Sequence, residues 1–312
     1  MPELDAKMLS LQMDLIPRIV DDSATGKTRA SLNTSRARRT EILRLFKGEL
    51  PQSIMVADKK QRATDLTGGS YYATAKVVDD SRLATIFDVS GQSVRAGALS
   101  QFPQNIGRAV VLLYSKEGDT VIDPFAGHNS RMELCVRAGR HYVGHDISAR
   151  FMEWNRRMAV QLRYDNPQAS ITLIEGDSRQ MNVESCSGDF TLTSPPYYNL
   201  EDYGDEPEQL GKLGGYGTFL DGLAGVAREN FRALRPGAFC VWFVNDFRLG
   251  GRFYSYHADT LGVLVDAGFT PWDMMIVDLG APIRAAFAAQ VIDQQILPKR
   301  HEYGIVVRKP GE

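Results

Sequence analysis

Short apolar runs alternate with longer segments of helical periodicity along residues 102–309. The runs predict strands, and the first four lie at Thr120–Asp123, His141–Gly144, Ile171–Ile174 and Phe190–Thr193. A helix is predicted before the first strand, over Ile106–Tyr114, and apolar residues three or four positions apart predict further helices between the strands. This order favours a doubly wound parallel sheet, so we predict an α/β fold.

The pattern continues into the second half of the chain. A helix is predicted over Phe219–Leu234, where Arg235, Pro236 and Gly237 end it, and a buried strand over Ala238–Val244. A further helix is predicted from Phe253 to Ala267. The last two strands are predicted over Trp272–Val277 and Glu302–Val307.

The N-terminal part of the chain has a different composition. Residues 1–92 are predicted to form a partly helical extension, and residues 93–312 the main domain. Between Lys27 and Arg62 the chain has ten basic residues against three acidic ones. Ser35 is expected to cap a helix that begins with Arg36, Arg38 and Arg39. These arginines are expected either to contact phosphates or to form a solvated face. Residues 63–95 show possible short strands, including Leu83–Val89, and no chemistry.

Composition narrows the class of protein. The chain has 312 residues, 43% of them hydrophobic, and a formal net charge of −2. Its three cysteines lack CxxC spacing, which argues against a zinc site or a disulfide framework, and no metal is expected. No apolar run approaches the roughly 20 residues of a membrane helix, and residues 1–7 lack a signal-peptide pattern. A cytoplasmic protein is therefore expected.

The stretch from Asp189 to Tyr198 runs from an alternating strand into two consecutive prolines. Because Pro195 and Pro196 have no N–H and a fixed φ, the loop offers rigid carbonyl acceptors without competing local donors. The Ser194 hydroxyl adds an acceptor, and Tyr197 adds a flat ring. A planar group with an NH2, such as a nucleobase, fits this arrangement, although a Ser-Pro-Pro run by itself is also an ordinary turn.

Three consecutive strands end in an aspartate. Gly127 follows the first strand and Asp123, where it lets the backbone approach a ligand. Asp146 lies 23 residues beyond Asp123, at a distance suited to a carboxylate that accepts from ribose hydroxyls. Asp177 follows the third strand and could accept from an adenine amino group. A nucleoside cofactor is predicted. The chain lacks the GxGxxG motif, which argues against a nicotinamide cofactor.

The sequence DPFAG followed by TSPPY resembles the S-adenosylmethionine-dependent DNA amino-methyltransferases, which alkylate cytosine N4 or adenine N6. The resemblance covers about two thirds of the chain, from Phe102 to Lys309. It implies a Rossmann-like seven-stranded mixed sheet with an antiparallel last strand, S-adenosylmethionine as cofactor and double-stranded DNA as partner. The implied catalytic residues are Ser194, Pro195, Pro196 and Tyr197. The implied cofactor contacts are Phe102, Asp123, Pro124, Phe125, Ala126, Gly127, Asp146, Ile147 and Asp177.

The chain departs from the family after DPFAG, where the usual small residues are replaced by His128, Asn129 and Ser130. His128 is expected to be a surface histidine at a helix start, or else to bond to the cofactor or substrate. The segment Asn199–Gly217 resembles the mobile loop of the family, a lid whose acids are expected to face solvent. Those acids are Glu201, Asp202, Asp205, Glu206 and Glu208.

The sequence leaves more than one possibility for the target base and for the class of substrate. A serine before the two prolines is more often found in the cytosine-modifying enzymes of the family, so cytosine N4 is favoured over adenine N6. RNA or protein methylation, or a non-catalytic nucleic-acid-binding module, are competing interpretations. About 65 residues separate the two motifs, too few for a recognition domain. Target recognition is therefore expected in the N-terminal 95 residues or in the loops Phe247–Phe253 and Gly280–Arg300.

Overall fold

The computed structural model describes residues 29–45, 51–57, 77–78, 85–87, 93–95, 102–200, 206–279, 292–293, 295–297 and 300–311. The chain divides into two compact units, residues 1–52 and 53–312. This division falls 40 residues before the boundary that the sequence predicts.

The described part of the first unit contains helix α1, Arg29–Leu45. The expected basic helix is present, but it begins at Arg29. Ser35 therefore lies inside the helix, and the prediction that it is the cap was wrong. Arg36 and Arg39 are exposed on this helix, and the other expected basic residues from Lys47 to Arg62 lie outside the described residues.

The second unit is built around an eight-stranded sheet. Its strands are β1 Ile54–Val56, β5 Thr120–Asp123, β6 His141–Asp146, β7 Ile171–Glu175, β8 Gly188–Thr193, β9 Leu234–Val244, β12 Thr270–Asp278 and β13 His301–Arg308. They lie in the order β1-β12-β13-β9-β8-β5-β6-β7. The helices are α2 Gln104–Tyr114, α3 Ser130–Arg137, α4 Ala149–Asp165, α5 Tyr216–Ala233 and α6 Tyr256–Asp266. Within the described residues, 3-10 turns lie at Ser178–Gln180 and Leu210–Lys212.

The predicted mixed sheet with an antiparallel last strand is confirmed. β5 pairs in parallel with both β6 and β8, and β13 is antiparallel to its two neighbours, β12 and β9. The eighth strand, Ile54–Val56, pairs in parallel with β12 and comes from the predicted extension. A separate small antiparallel sheet contains β2 Val77–Val78, β3 Thr85–Phe87 and β4 Ser93–Arg95.

Two predicted element boundaries were wrong. The helix expected from Phe253 begins at Tyr256, because Phe253 and Tyr254 belong to strand β11, Arg252–Tyr254. This strand pairs with β10, Phe247–Leu249, across the turn formed by Gly250 and Gly251. Strand β9 begins at Leu234 rather than Ala238 and takes up the segment expected to end the preceding helix.

The core lies against the centre of the sheet. Residues Cys240–Val244 of β9 are all buried, since helices α5 and α6 pack against this strand and it pairs on both sides, with β8 and β13. Among the described residues, no helix combines the length and the apolar character that crossing a membrane requires.

Candidate active site

A cleft of about 960 Å³, including its open mouth, lies at the carboxyl edge of the sheet. This is the edge where ligands of open α/β sheets bind. Each of the strands β5, β6, β7 and β8 contributes lining residues at or just after its carboxyl end. They include Phe125, Gly127, Asp146, Ile147, Asp177, Ser194, Pro195, Pro196 and Tyr197. The structure therefore brings the two motifs of the sequence together in one cleft.

Neighbouring chain segments fix the Ser194–Tyr197 loop at both ends. At its start, the Thr193 hydroxyl donates to Asp123 Oδ1 at 2.6 Å, which ties β8 to β5. Beyond the prolines, the buried Tyr256 hydroxyl donates to the Pro196 carbonyl at 3.0 Å. This hydrogen bond uses one lone pair of the Pro196 carbonyl and fixes the backbone beyond the prolines.

Tyr198 holds the far side of the loop. Its backbone has φ 51°, a left-handed conformation, and its hydroxyl donates to the Gly214 carbonyl at 2.8 Å. A Cβ at Gly211 would lie 2.4 Å from the Tyr198 carbonyl oxygen, so only glycine permits the close approach of these two segments. The second tyrosine of SPPYY is thus a buried anchor, while the Tyr197 ring lines the cleft.

Asp123 lies beneath the cleft rather than in its lining. Its carboxylate is fully buried and accepts from Arg131 Nε at 2.7 Å, the Tyr142 hydroxyl at 2.8 Å and the Thr193 hydroxyl. Burial is the largest cause that raises the pKa of Tyr142 well above its ordinary value, and the negative charge of Asp123 is the second. The aspartate expected to touch the cofactor instead connects β5, α3, β6 and β8.

The glycine loop is held by the strand that follows it. Gly127 has φ 46°, and its N–H donates to Asp146 Oδ2 at 2.7 Å. Its carbonyl accepts from Asn155 of α4, also at 2.7 Å. The other Asp146 oxygen accepts from the Ser148 N–H at 2.9 Å. Burial raises the pKa of Asp146 from 3.8 to about 6, although these two hydrogen bonds lower it.

Asp177 lines the other side of the cleft and is half-exposed. Its carboxylate caps the 3-10 turn and pairs with Arg179 at 2.6 Å. Although burial opposes it, the hydrogen bonds and charge of Arg179 hold the pKa of Asp177 below its ordinary value. A carboxylate at this place is consistent with the expected acceptor for an amino group.

The side chains of His128 and Asn129, directly after the glycine loop, pack more closely than the sequence predicted. His128 lines the cleft and stacks on Trp154, with ring centroids 5.5 Å apart, so it is not a plain surface histidine. Burial is the larger cause, and the positive charge of Arg131 the smaller, that lowers the pKa of His128 to about 4. The ring is therefore neutral at pH 7. Trp154 donates to Asn129 Oδ1 at 2.9 Å. The bulk that replaces the usual small residues is thus packed against α4.

Four expected cofactor contacts lie outside the cleft lining, namely Phe102, Asp123, Pro124 and Ala126. Phe102 is 6% exposed and meets Phe243 edge to face at 4.9 Å, so it belongs to the core. Pro124 contributes its carbonyl to Ser178, whose hydroxyl also bonds to His145 Nδ1. These residues support the cleft from behind.

Sequence reasoning missed several residues that line the cleft, among them Arg131, Phe151 and Gln209. Phe151 could have been found, because it lies one turn into the helix that starts after Asp146 and Ile147. The segment Glu206–Gly211 comes from the expected lid, and Glu208 to Gly211 line the cleft. Glu206, expected to face solvent, accepts from the Ala149 N–H at 3.2 Å; Glu201, Asp202 and Asp205 lie outside the described residues.

Part of the chain matches known methyltransferase sequences. A family model described as DNA methylase, N6_N4_Mtase, matches residues 47–157, a range that contains the DPFAG loop and ends before SPPY. The chain is similar to the type II beta methyltransferase M.BslI of a Bacillus species, with 27% identity over 143 residues. That alignment covers 42% of this chain and 15% of the length of the relative.

The chain also shows partial similarity to solved structures. An S-adenosylmethionine-dependent methyltransferase from Methanosarcina mazei is 15% identical with a TM-score of 0.45, over 69% of this chain and all of that chain. A proposed DNA modification methylase from Thermus thermophilus is 30% identical with a TM-score of 0.33, over 44% of this chain and 53% of that chain. The family model thus confirms the resemblance to the DNA amino-methyltransferases that the sequence motifs carry.

Proposed function

We propose that this protein transfers a methyl group from S-adenosylmethionine to the exocyclic amine of a base in duplex DNA. The observation that carries the proposal is the shared cleft. The SPPY loop after β8 and the carboxylates after β6 and β7 line the same space. An acceptor loop for an amine and a site for a nucleoside therefore adjoin, as a direct group transfer requires.

The residues on the cofactor side fit a nucleoside. The Asp146 carboxylate ends β6, and each of its oxygens retains a lone pair besides the one used by a backbone N–H. Ile147 and Phe151 add apolar surface for a flat base, and Asp177 adds a second acceptor. When bound, S-adenosylmethionine would supply a methyl group on a positively charged sulfur. The chain itself binds and orients the two reactants.

On the substrate side, the Ser194 hydroxyl and the Pro195 carbonyl would accept the two N–H groups of the amine. This arrangement turns the nitrogen lone pair away from the loop, toward the cofactor side of the cleft. Tyr197 would stack on the ring of the base. Because the amine of a duplex is paired, the base must leave the stack, and stacking on Tyr197 offsets part of that cost of a few kcal/mol.

Cysteine-dependent methylation of cytosine C5 does not fit this site. Cys135 and Cys240 are buried, and burial raises the pKa of both thiols. Cys186 is exposed, and none of the three cysteines lines the cleft. Reaction at an amine needs no such nucleophile.

Cytosine N4 is the proposed target atom. The support is the serine at position 194, because the resemblance links serine there to cytosine-modifying enzymes. Physically, a serine hydroxyl reaches less far than the aspartate or asparagine more usual in adenine-modifying enzymes. Either base presents a similar NH2 group, so the identity of the product decides between them.

A methylation assay with tritiated S-adenosylmethionine tests the proposal. Duplex DNA, RNA and protein are offered separately, and a reaction without enzyme serves as the blank. We expect label in duplex DNA, with N4-methylcytosine among the nucleosides after digestion and mass spectrometry. Label in RNA or protein alone would contradict the DNA assignment, and N6-methyladenine alone would replace the cytosine assignment.

A further inference from the structure

A two-stranded hairpin projects from the same edge of the sheet as the cleft. Strands β10 and β11 pair antiparallel over Phe247–Leu249 and Arg252–Tyr254. Gly250 and Gly251 form its turn with φ values of 57° and 81°. Positive φ at both central residues is the geometry of the tight hairpin turn that glycine favours. The hairpin follows β9 directly, so it begins at the carboxyl end of that strand.

The two faces of the hairpin have different surroundings. Phe247 is 5% exposed and stacks on Tyr254 at 5.0 Å, and both pack against the core. Arg248 and Phe253 are opposite each other and point away from that face, because side chains alternate along a strand. Both are exposed, Phe253 by 51%, and the Arg248 guanidinium lies 5.3 Å from the Phe253 ring.

The charged side chains of the hairpin are all basic. Residues 247–254 contain Arg248 and Arg252 and no acidic residue. Arg252 is exposed as well, but it lies on the other face of the hairpin, over the Tyr254 ring at 5.0 Å. The preceding Asp246 is buried and bonds to His257 at 2.7 Å, so its carboxylate is directed into the protein. The chain as a whole has a net charge of −2, which makes this exposed cationic surface a local feature.

Aromatic rings connect the hairpin to the proposed catalytic loop. Phe247 lies 5.9 Å from Tyr256, and Tyr256 lies 6.2 Å from Tyr197. Phe247 also stacks with Tyr198 at 6.5 Å. Because these rings are packed together, the hairpin has a fixed position beside the site of the flipped base.

We propose that this hairpin binds the DNA duplex beside the flipped base, with Arg248 and Arg252 on phosphates and Phe253 against a sugar or base. This inference rests on the proposed function, and it names the surface that holds the duplex. Arginine suits phosphate because its planar fork donates two parallel hydrogen bonds. An exposed aromatic ring beside the Arg248 cation adds the apolar contact that is common where proteins meet nucleic acid. The glycine turn lacks Cβ atoms and can come close to a groove.

The test measures the affinity for a fluorescent DNA duplex over a series of salt concentrations by anisotropy. Each phosphate contact contributes about 0.9 to the slope of log affinity against log salt, so Arg248→Ala with Arg252→Ala should lower the slope by about 1.8. Replacing both arginines by lysine should retain the slope. Phe253→Ala should weaken binding at every salt concentration and leave the slope unchanged. The matched control is Lys116→Ala, an exposed cation before β5 at the opposite edge of the sheet.

Thermal melting and calorimetric titration with S-adenosylmethionine accompany every variant, so that a misfolded protein is recognised. If the wild-type protein binds and methylates the duplex but the double alanine variant keeps its slope, the hairpin proposal fails and the proposed function stands. A slope loss of the same size in Lys116→Ala would also contradict the hairpin proposal. If the wild-type protein binds cofactor but no duplex, both proposals fail.

Discussion

The Asp146 carboxylate, which lines the proposed cofactor site, is expected to destabilise the folded protein. Burial raises its pKa from 3.8 to about 6. Since one pKa unit corresponds to about 1.4 kcal/mol, the carboxylate costs about 3 kcal/mol of stability at pH 7. Because the folded protein binds this proton more tightly than the unfolded chain, stability falls as the pH rises from about 4 to about 6 and then levels off.

Asp146→Asn removes this titration. The amide cannot accept from both the Gly127 and the Ser148 N–H groups, so the variant also loses one hydrogen bond, a cost of about 1 to 3 kcal/mol that does not depend on pH. The difference in free energy of unfolding between variant and wild type should therefore shift in favour of the variant by about 2.4 kcal/mol between pH 4 and pH 7.

Urea unfolding at a series of pH values measures this difference directly. Asp221→Asn, which replaces an exposed carboxylate on α5, is the matched control and should not show the same shift. Calorimetric titration should show that the wild-type protein binds S-adenosylmethionine about tenfold more weakly at pH 5 than at pH 7, because protonation removes the acceptor. Parallel pH profiles for wild type and Asp146→Asn would refute the reasoning.

Three further residues and the basic helix give separate predictions. Asp123→Asn should lower the free energy of unfolding by about 3 to 5 kcal/mol, since it leaves the buried Arg131 charge without its partner, and urea unfolding measures this. Tyr256→Phe should slow single-turnover methylation without weakening cofactor binding, because the Pro196 carbonyl loses its donor; Tyr254→Phe, a hydroxyl loss in the same aromatic cluster, is the control and should be near wild type. Tyr197→Ala should lose about 1 to 3 kcal/mol of base stacking, seen as reduced turnover at unchanged cofactor affinity, and equal activity would contradict its assignment. In the basic helix, alanine replaces Arg36, Arg38 and Arg39 together. This variant should lower the slope of log DNA affinity against log salt by up to about 2.7, while an unchanged slope would indicate a solvated face.

The sequence predicted most of the sheet because its strands are short apolar runs with clear ends. It could not predict the hairpin at Phe247–Tyr254. Phe253 and Tyr254 continue into the apolar pattern of α6, and the two glycines alone did not distinguish a tight hairpin turn from a loop. The edge strand Ile54–Val56 was also missed, since it has three residues and two of them are exposed. Short elements at an edge give too little periodicity to be detected.

The candidate site was predictable where function depends on position along a strand. Asp146 ends a strand, Asp177 and Ser194 each follow one, and the carboxyl ends of parallel strands meet at one edge. The contacts of Tyr256 with Pro196 and of Arg131 with Asp123 were not predictable in this way. The first pair is 60 residues apart in sequence, and the second requires knowing which way the Asp123 side chain points.

The direction of the Asp123 side chain also explains how the two halves of the cleft keep their spacing. Two neighbouring parallel strands place their loops side by side, but backbone pairing between β5 and β8 covers only Val121 to Ile122 on the β5 side. Beyond that, the hydrogen bond from Thr193 to Asp123 continues the connection to the last residue before Ser194. Because the same carboxylate also holds Arg131 and Tyr142, any movement of the SPPY loop relative to the glycine loop would disturb a buried ion pair. A buried contact thus sets the separation between the SPPY loop and the glycine loop, which is the condition that the proposed in-line transfer places on its two reactants.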